Sequence, residues 1–208
     1  MGLSNTGANS LQRIGAASGI VAPIFAFICI TIAIATYPQF SWTNNALSDL
    51  GVISGITGII FNFGLFASGL LAFNFAIFGM FQYFKGNLFT KLGSGIFAGA
   101  TIALICIGIF NENFSPTHYY VSVAFFVFLP VSLLIITSAL AVKHQAKMAI
   151  FTILMAFAAA APWVLYFLVH YASDVAIPEI ISGLAGATWI VTVGYKILQE
   201  TQTQSSNQ

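Results

Sequence analysis

Six long apolar runs, separated by short polar segments, constrain this chain more than any other feature of its sequence. Each run holds about 20 residues or more, the length that an α-helix needs to cross a hydrocarbon core about 30 Å thick. Helices are required because lipid offers no hydrogen-bond partner to an open backbone, and the runs lack the alternation of a β-barrel. The sequence therefore predicts an all-α, six-helix membrane bundle as a single domain at 1–198, with a polar tail at 199–208 and spans at 14–36, 57–81, 91–110, 117–142, 148–169 and 177–198.

The scarcity of charge excludes a surface that faces water. Hydrophobic residues make up 59% of the chain and charged residues only 5%, whereas about a quarter of the residues in soluble domains are charged. The formal net charge of +1 leaves no basic field for nucleic acid, so the expected partner is the lipid bilayer. Arg13 and the first run imitate a signal peptide, but the run is longer than an ordinary signal core and is interpreted as a retained span.

The basic residues indicate an orientation. With six spans they all fall on one side of the membrane, which the positive-inside rule makes cytoplasmic. Both termini are then cytoplasmic in a multi-pass protein of the cell membrane, and most of the acidic residues face the other side. These basic residues are Arg13, Lys85, Lys91, Lys143, Lys147 and Lys196.

The first outer connection, residues 38–56, is the longest and is too apolar for a free loop, so we expect it to fold back onto the bundle. It contains Ser48 and Asp49, which could cap a helix or place a carboxylate on a bent loop that faces a cavity. Asn62, a short way into the second span, favours the second interpretation because an amide in lipid needs a partner. One straight helix would put Asp49 and Asn62 on nearly opposite faces, so a shared site requires a break between them.

The second outer connection carries Glu112, and His118 follows at the start of the fourth span. The helix N-terminus disfavours a charged imidazole there, which keeps a neutral ring nitrogen available. His118 could therefore serve as a general base or ligand, or it could simply hydrogen-bond Glu112 and hold the loop.

A third group is formed by His170 and Asp174, four residues apart, with Glu179 beyond them. If the fifth helix continues that far, His170 and Asp174 share a face. A divalent ion is conceivable there, but no ligand spacing typical of a metal site supports it, so no metal site and no cofactor is predicted.

Three motifs occur at residues 48–51, 61–62 and 108–112, and His118 follows the last of them. Together these motifs resemble a widespread family of small prokaryotic membrane proteins of unknown function, itself distantly similar to the DRAM-like membrane proteins of eukaryotes. The resemblance implies a six-helix fold and singles out Asp49, Asn62, Glu112 and His118, without implying an activity. The chain departs from the family pattern at Asn111, where Pro is usual, and at Ile180, where Arg is expected after Glu179. The matching segments are Ser48-Asp49-Leu50-Gly51, Phe61-Asn62, and Gly108-Ile109-Phe110-Asn111-Glu112 with His118.

Three functions remain open from the sequence. The protein could bind or transport a lipid or small molecule, act as an intramembrane enzyme on lipid with His118 as base, or serve as a structural subunit of a larger membrane complex. For the binding or transport function, we predict that one polar pocket near the outer face is lined by Asp49, Asn62, Glu112 and His118.

Overall fold

The computed structural model describes residues 2–84, 86 and 88–206. Six helices are long and apolar enough to cross a membrane, which confirms the predicted six-span helical bundle. Within the described ranges no residue is in a β-strand. The helices are α1 (Gly2–Ala35), α2 (Ile56–Tyr83), α3 (Leu88–Ile109), α4 (Thr117–Val142), α5 (Ala146–Val169) and α6 (Ala176–Ser206).

Two helices extend well past the apolar runs that predict them. α1 begins at Gly2, and α6 continues to Ser206 through most of the segment assigned to a polar tail. Neither extension contains proline, the residue that most strongly stops a helix, and both helices continue through these polar segments.

The six helices form a closed ring in chain order. Each helix packs against the next one, and α6 packs back against α1. Small residues allow the closest approaches: a Cβ added to Gly108 in α3 would lie 2.5 Å from the backbone nitrogen of Phe66 in α2. Such contacts are typical of membrane helices, which gain stability mainly from tight packing.

We call the end of the bundle that carries residues 36–55 the outer end and the opposite end the inner end, as labels only. The inner half of the bundle has a core centred on Trp189 of α6, which is fully buried. Its ring lies 6.5 Å from that of Phe84 and 5.4 Å from that of Phe97. Its indole N–H donates to the hydroxyl of Thr152 at 3.1 Å, so its polar atom is satisfied inside the bundle.

The first outer loop, residues 36–55, folds back onto the outer end of the bundle, as predicted. A 3-10 helix at Ser48–Val52 buries Leu50 completely, in a second apolar core with Ile30, Phe61 and Leu65. Gly55 then adopts φ +85°, a conformation that favours glycine, and α2 begins at the next residue. This provides the break between Asp49 and Asn62 that a shared site requires.

Candidate functional site

Asp49 holds the first outer loop in shape. Its Oδ2 accepts hydrogen bonds from the side-chain amide of Asn45 at 2.7 Å and from the backbone N–H of Ala46 at 3.1 Å. The 3-10 helix that contains Asp49 has no side-chain cap at its start, so the capping interpretation does not apply to it. The carboxylate instead fixes the turn that precedes the helix.

Ser48 joins this loop to the second outer loop, because its hydroxyl donates to Oε1 of Glu112 at 2.7 Å. Burial raises the pKa of the Glu112 carboxyl above its ordinary value of 4.5, the hydrogen bond from Ser48 opposes that rise, and the nearby Asp49 carboxyl adds to it. The two loops therefore meet at a carboxyl group that favours protonation.

Asn62 faces the bundle and binds the same loop. Its side-chain amide donates to the backbone carbonyl of Gly51 at 2.8 Å, and the amide of Asn111 donates to that oxygen at 3.3 Å. The Oδ1 of Asn62 is buried without a hydrogen-bond partner. Asn111, which in the sequence is distinguished only by its departure from a family pattern, thus contributes a polar side chain to the site.

His118 is buried at the start of α4, with both ring nitrogens near partners within the protein. Nδ1 lies 2.6 Å from the carbonyl oxygen of Phe110, and because a carbonyl only accepts, Nδ1 carries the proton and donates. Nε2 lies 3.3 Å from the hydroxyl of Ser122, one turn along the helix. The hydrogen bond from His118 to the loop therefore goes to a backbone carbonyl and not to Glu112.

Glu179 lies in the first turn of α6 and is buried in the bundle. The side chain is only 9% exposed, and its Oε2 accepts a hydrogen bond from the backbone N–H of Leu47 at 2.6 Å. A backbone bond from Ala176 to Asn45, 3.0 Å long, holds the loop against α6 at the same place. The first outer loop is therefore fastened to the second outer connection and to the last helix.

His170 and Asp174 do not share a helical face, which corrects the expectation based on their spacing. α5 ends at Val169, and His170 adopts the left-handed conformation with φ 47° at its end. The Oδ1 of Asp174 accepts from the backbone N–H of Val175 at 2.8 Å, immediately before α6 begins. Across the described ranges, no three His, Cys, Asp or Glu side chains are grouped so that they could hold a metal ion.

A cavity of about 150 Å³ lies inside the ring, beneath the outer loop. Every helix except α5 contributes to its wall, which is largely apolar, and the loop contributes Leu47 and Ser48. α6 presents one face to it, from Glu179 to Ile190, a rise of about 16 Å at 1.5 Å per residue. The cavity wall therefore extends along α6, with Glu179 and Ser48 at its outer end.

The four leading candidates form a connected outer network and do not line this cavity. Ser48 links the Asp49 loop to Glu112, and Gly51 links it to Asn62, while His118 binds the carbonyl just before the second loop. The polar members of the cavity wall are Ser48, Ser68, Thr101, Ser122 and Glu179.

The sequence of the chain matches a known protein family. A family model described as "Protein of unknown function (DUF998)" matches residues 20–196, which include the outer network and the whole cavity wall. The chain belongs to the DUF998 family. No curated protein and no solved structure is similar enough to match it. The family assignment is consistent with a multi-pass membrane protein, and it assigns no activity to the chain.

The raised pKa of Glu112 makes a pH-dependent contribution to the stability of this DUF998 protein. Its folded-state pKa exceeds the unfolded value, so the contribution is full below about pH 4.5 and is lost as the pH rises through the folded pKa. Glu112→Gln keeps an acceptor for Ser48 and cannot ionise. We expect its unfolding free energy, relative to the wild type, to increase between about pH 4.5 and pH 7.5.

This difference is measured by unfolding the two purified proteins in detergent at a series of pH values. Glu200→Gln is the control, since Glu200 lies near the other end of α6 and bonds the hydroxyl of Tyr83 at 3.0 Å. Parallel stability curves for wild type and Glu112→Gln would contradict the prediction.

Proposed function

We propose that the protein binds a lipid-like molecule with a single apolar chain inside the ring of helices. The supporting observation is the cavity, which is lined by five spans and whose wall runs about 16 Å along α6. A volume of about 150 Å³ matches one small apolar group or one chain, since a cavity of that size in a protein core holds benzene. Binding would serve the presentation or transport of that molecule.

The position of the polar network supports the same proposal. Ser48 and Glu179 stand at the outer end of an otherwise apolar wall, so a bound molecule with one polar end has a preferred direction. The outer loop closes that end, because its Leu47 and Leu50 are buried against the bundle.

Filling the cavity tests this function. Gly183 lies in the wall, and a Cβ added there would meet only the ring of Phe27, at 3.6 Å, so Gly183→Leu should fold and occupy the cavity. We expect 1-dodecanol to raise the unfolding temperature of the wild type by mass action and to have at least about tenfold lower affinity for Gly183→Leu. Gly95→Leu is the matched control, since a Cβ at Gly95 meets nothing within 4 Å. Equal binding by both variants would refute the proposal.

The proposed orientation places both termini in the cytoplasm, with the outer network outside the cell membrane. It rests on the positive-inside rule, since the basic residues gather at the opposite end of the spans. In a background without Cys29 and Cys106, a cysteine at Asn113 should react with an impermeant maleimide in intact cells. A cysteine at Gln202 should react only after lysis. Both positions are exposed, so labelling of both in intact cells would contradict this topology.

A second candidate function is an intramembrane enzyme acting on lipid, and one contact favours it. Ser122 lines the cavity with its hydroxyl 3.3 Å from Nε2 of His118, whose Nδ1 is held by the Phe110 carbonyl. An imidazole held in this way can accept the proton of a serine nucleophile. Covalent labelling of Ser122 by a fluorophosphonate, lost in His118→Gln, would support this function, and an unlabelled Ser122 would exclude it.

A further inference from the structure

One side-chain amide within the second span lacks a hydrogen-bond partner. Asn74 lies in α2, its Oδ1 is buried and unpaired, and its side chain makes no hydrogen bond in the described part of the chain. By contrast, the amide of Asn62 in the same helix donates to the carbonyl of Gly51 at 2.8 Å. Lipid chains neither donate nor accept hydrogen bonds, so an unpaired amide among them is costly. The chain by itself therefore leaves Asn74 without the partner that an amide in lipid requires.

The depth of Asn74 excludes the lipid headgroups as its partner. It follows Ile56, the first residue of α2, by 18 residues and precedes Tyr83, the last, by 9 residues. At 1.5 Å per residue this places Asn74 about 7 Å from the midpoint of the span. The hydrocarbon core extends about 15 Å on either side of its midplane. Because the Asn side chain is short, its partner has to lie within the membrane.

Asn74 belongs to the side of α2 that faces away from the ring of helices. α2 packs against α1 through Phe75 and against α3 through Gly69. The side between these two contacts carries Phe63 and Leu70, which are 58% and 46% exposed. Asn74 is one helical turn beyond Leu70, so it shares that side, and it is itself partly exposed.

The residues on this side of α2 have the spacing of a contact between two helices. Phe63, Ala67, Leu70 and Asn74 follow one another at intervals of four, three and four residues. This is the spacing of the contact positions in left-handed helix pairs, which are common in membranes. A single Asn among apolar contact positions fixes the register and the number of helices in such an assembly. No charged residue occurs between 56 and 83, so α2 presents nothing that repels a second copy of itself.

A second copy of the chain offers the matching group at the matching depth. Two copies that cross the membrane in the same direction are related by a two-fold axis, which brings both Asn74 residues to one level. A carboxamide has a partial positive charge on its NH₂ group and a partial negative charge on its oxygen. Two amides across the axis are therefore complementary in charge and can exchange two hydrogen bonds. A rotation about χ2 exchanges the amide oxygen and nitrogen, so the buried Oδ1 can turn toward the partner.

We propose that the protein forms a two-fold symmetric dimer through α2, with the amides of the two Asn74 residues hydrogen-bonded to each other inside the membrane. Phe63, Ala67 and Leu70 pack against the same residues of the second copy. The proposal is independent of the cavity function, because none of these four residues lies in the cavity wall.

The mass of the full-length protein in a mild detergent tests the dimer. Light scattering after gel filtration should give the wild type a protein mass of twice the 22.2 kDa of one chain. Asn74→Leu removes both hydrogen bonds at a position that faces lipid, so it should fold and its dimer should be at least about tenfold weaker. Asn74→Gln keeps a self-complementary amide and should remain dimeric. Thr192→Val is the control, since the exposed Thr192 already donates to the carbonyl of Thr188 at 2.7 Å, and it should not change the mass.

Disulfide cross-linking in native membranes tests which face is used. In a background without Cys29 and Cys106, oxidation of Leu70→Cys should link two copies of the chain. Leu154→Cys on α5, which is also exposed, should give no cross-link above random collision. Adding Asn74→Leu should reduce the cross-link at position 70.

The proposal is overturned if the wild type has the mass of one chain at every concentration measured. It is also overturned if Asn74→Leu, with an unchanged unfolding temperature, associates as strongly as the wild type, or if a different protein takes the place of the second copy in the purified complex. Should Asn74→Leu fail to fold, the cross-links decide, and equal cross-linking of Leu70→Cys and Leu154→Cys would overturn the proposal.

Discussion

Replacing Leu50 with alanine should lower the free energy of unfolding by about 2–5 kcal/mol, the range for removing a fully buried leucine side chain. Leu50 has no exposed surface, and it packs in the outer apolar core with Ile30, Phe61 and Leu65. No other residue of the 3-10 helix at Ser48–Val52 places a side chain of this size in the bundle. The substitution should therefore release the loop that closes the cavity as well as weaken the fold.

The measurement is unfolding of the purified protein by a denaturing detergent, followed by tryptophan fluorescence. Leu168→Ala is the matched control, because Leu168 is 72% exposed on α5 and faces lipid in a membrane. We expect a change of less than about 1 kcal/mol for this control, as for most surface substitutions. If the two leucine variants lose similar amounts of stability, the loop is not anchored by Leu50.

Replacing Gly108 with alanine should cost about 1–3 kcal/mol through overpacking of the contact between α2 and α3. The added Cβ would lie 2.5 Å from the backbone nitrogen of Phe66 and 2.6 Å from the carbonyl oxygen of Asn62. These are backbone atoms, so the clash is relieved only if the two helices separate. That movement would also shift Asn62 relative to the loop that it binds.

Gly95→Ala on the same helix provides the comparison, since its Cβ would meet nothing within 4 Å. Alanine is the better helix former by about 1 kcal/mol, so this variant should be as stable as the wild type or slightly more stable. A loss of stability at Gly95 equal to that at Gly108 would show that the close approach of α2 and α3 does not decide the result.

The sequence predicts the membrane-spanning elements well, because the length and polarity of an apolar run are local properties. The folding of residues 36–55 onto the bundle also follows from their composition, with Leu47 and Leu50 too apolar for an exposed loop. The position of His170 does not follow, because it depends on α5 ending at Val169 and on a left-handed residue there. The spacing of residues in the sequence cannot show where a helix such as α5 ends.

The contacts of Glu179 also cannot be predicted from the sequence. Its partner is the backbone of Leu47, 132 residues earlier in the chain, and it becomes a neighbour only because the ring closes with α6 against α1. Nearly every residue has a backbone N–H, so the sequence does not show which one will bind a side chain. The sequence also does not show the cavity that five spans line. Asn111 is a similar case, since its bond to Gly51 depends on how two separate loops meet.

The fastening of the outer loop has a consequence for how molecules exchange with the interior. Opening the cavity toward water would require the loop to give up its bonds to Glu179, Glu112 and Asn62 together, and to expose Leu50. Parting two neighbouring helices toward lipid instead separates largely apolar faces, which lipid chains can cover. We therefore expect traffic to pass sideways between the helices, so that the surrounding bilayer, and not the aqueous phase, is the reservoir that fills and empties the protein.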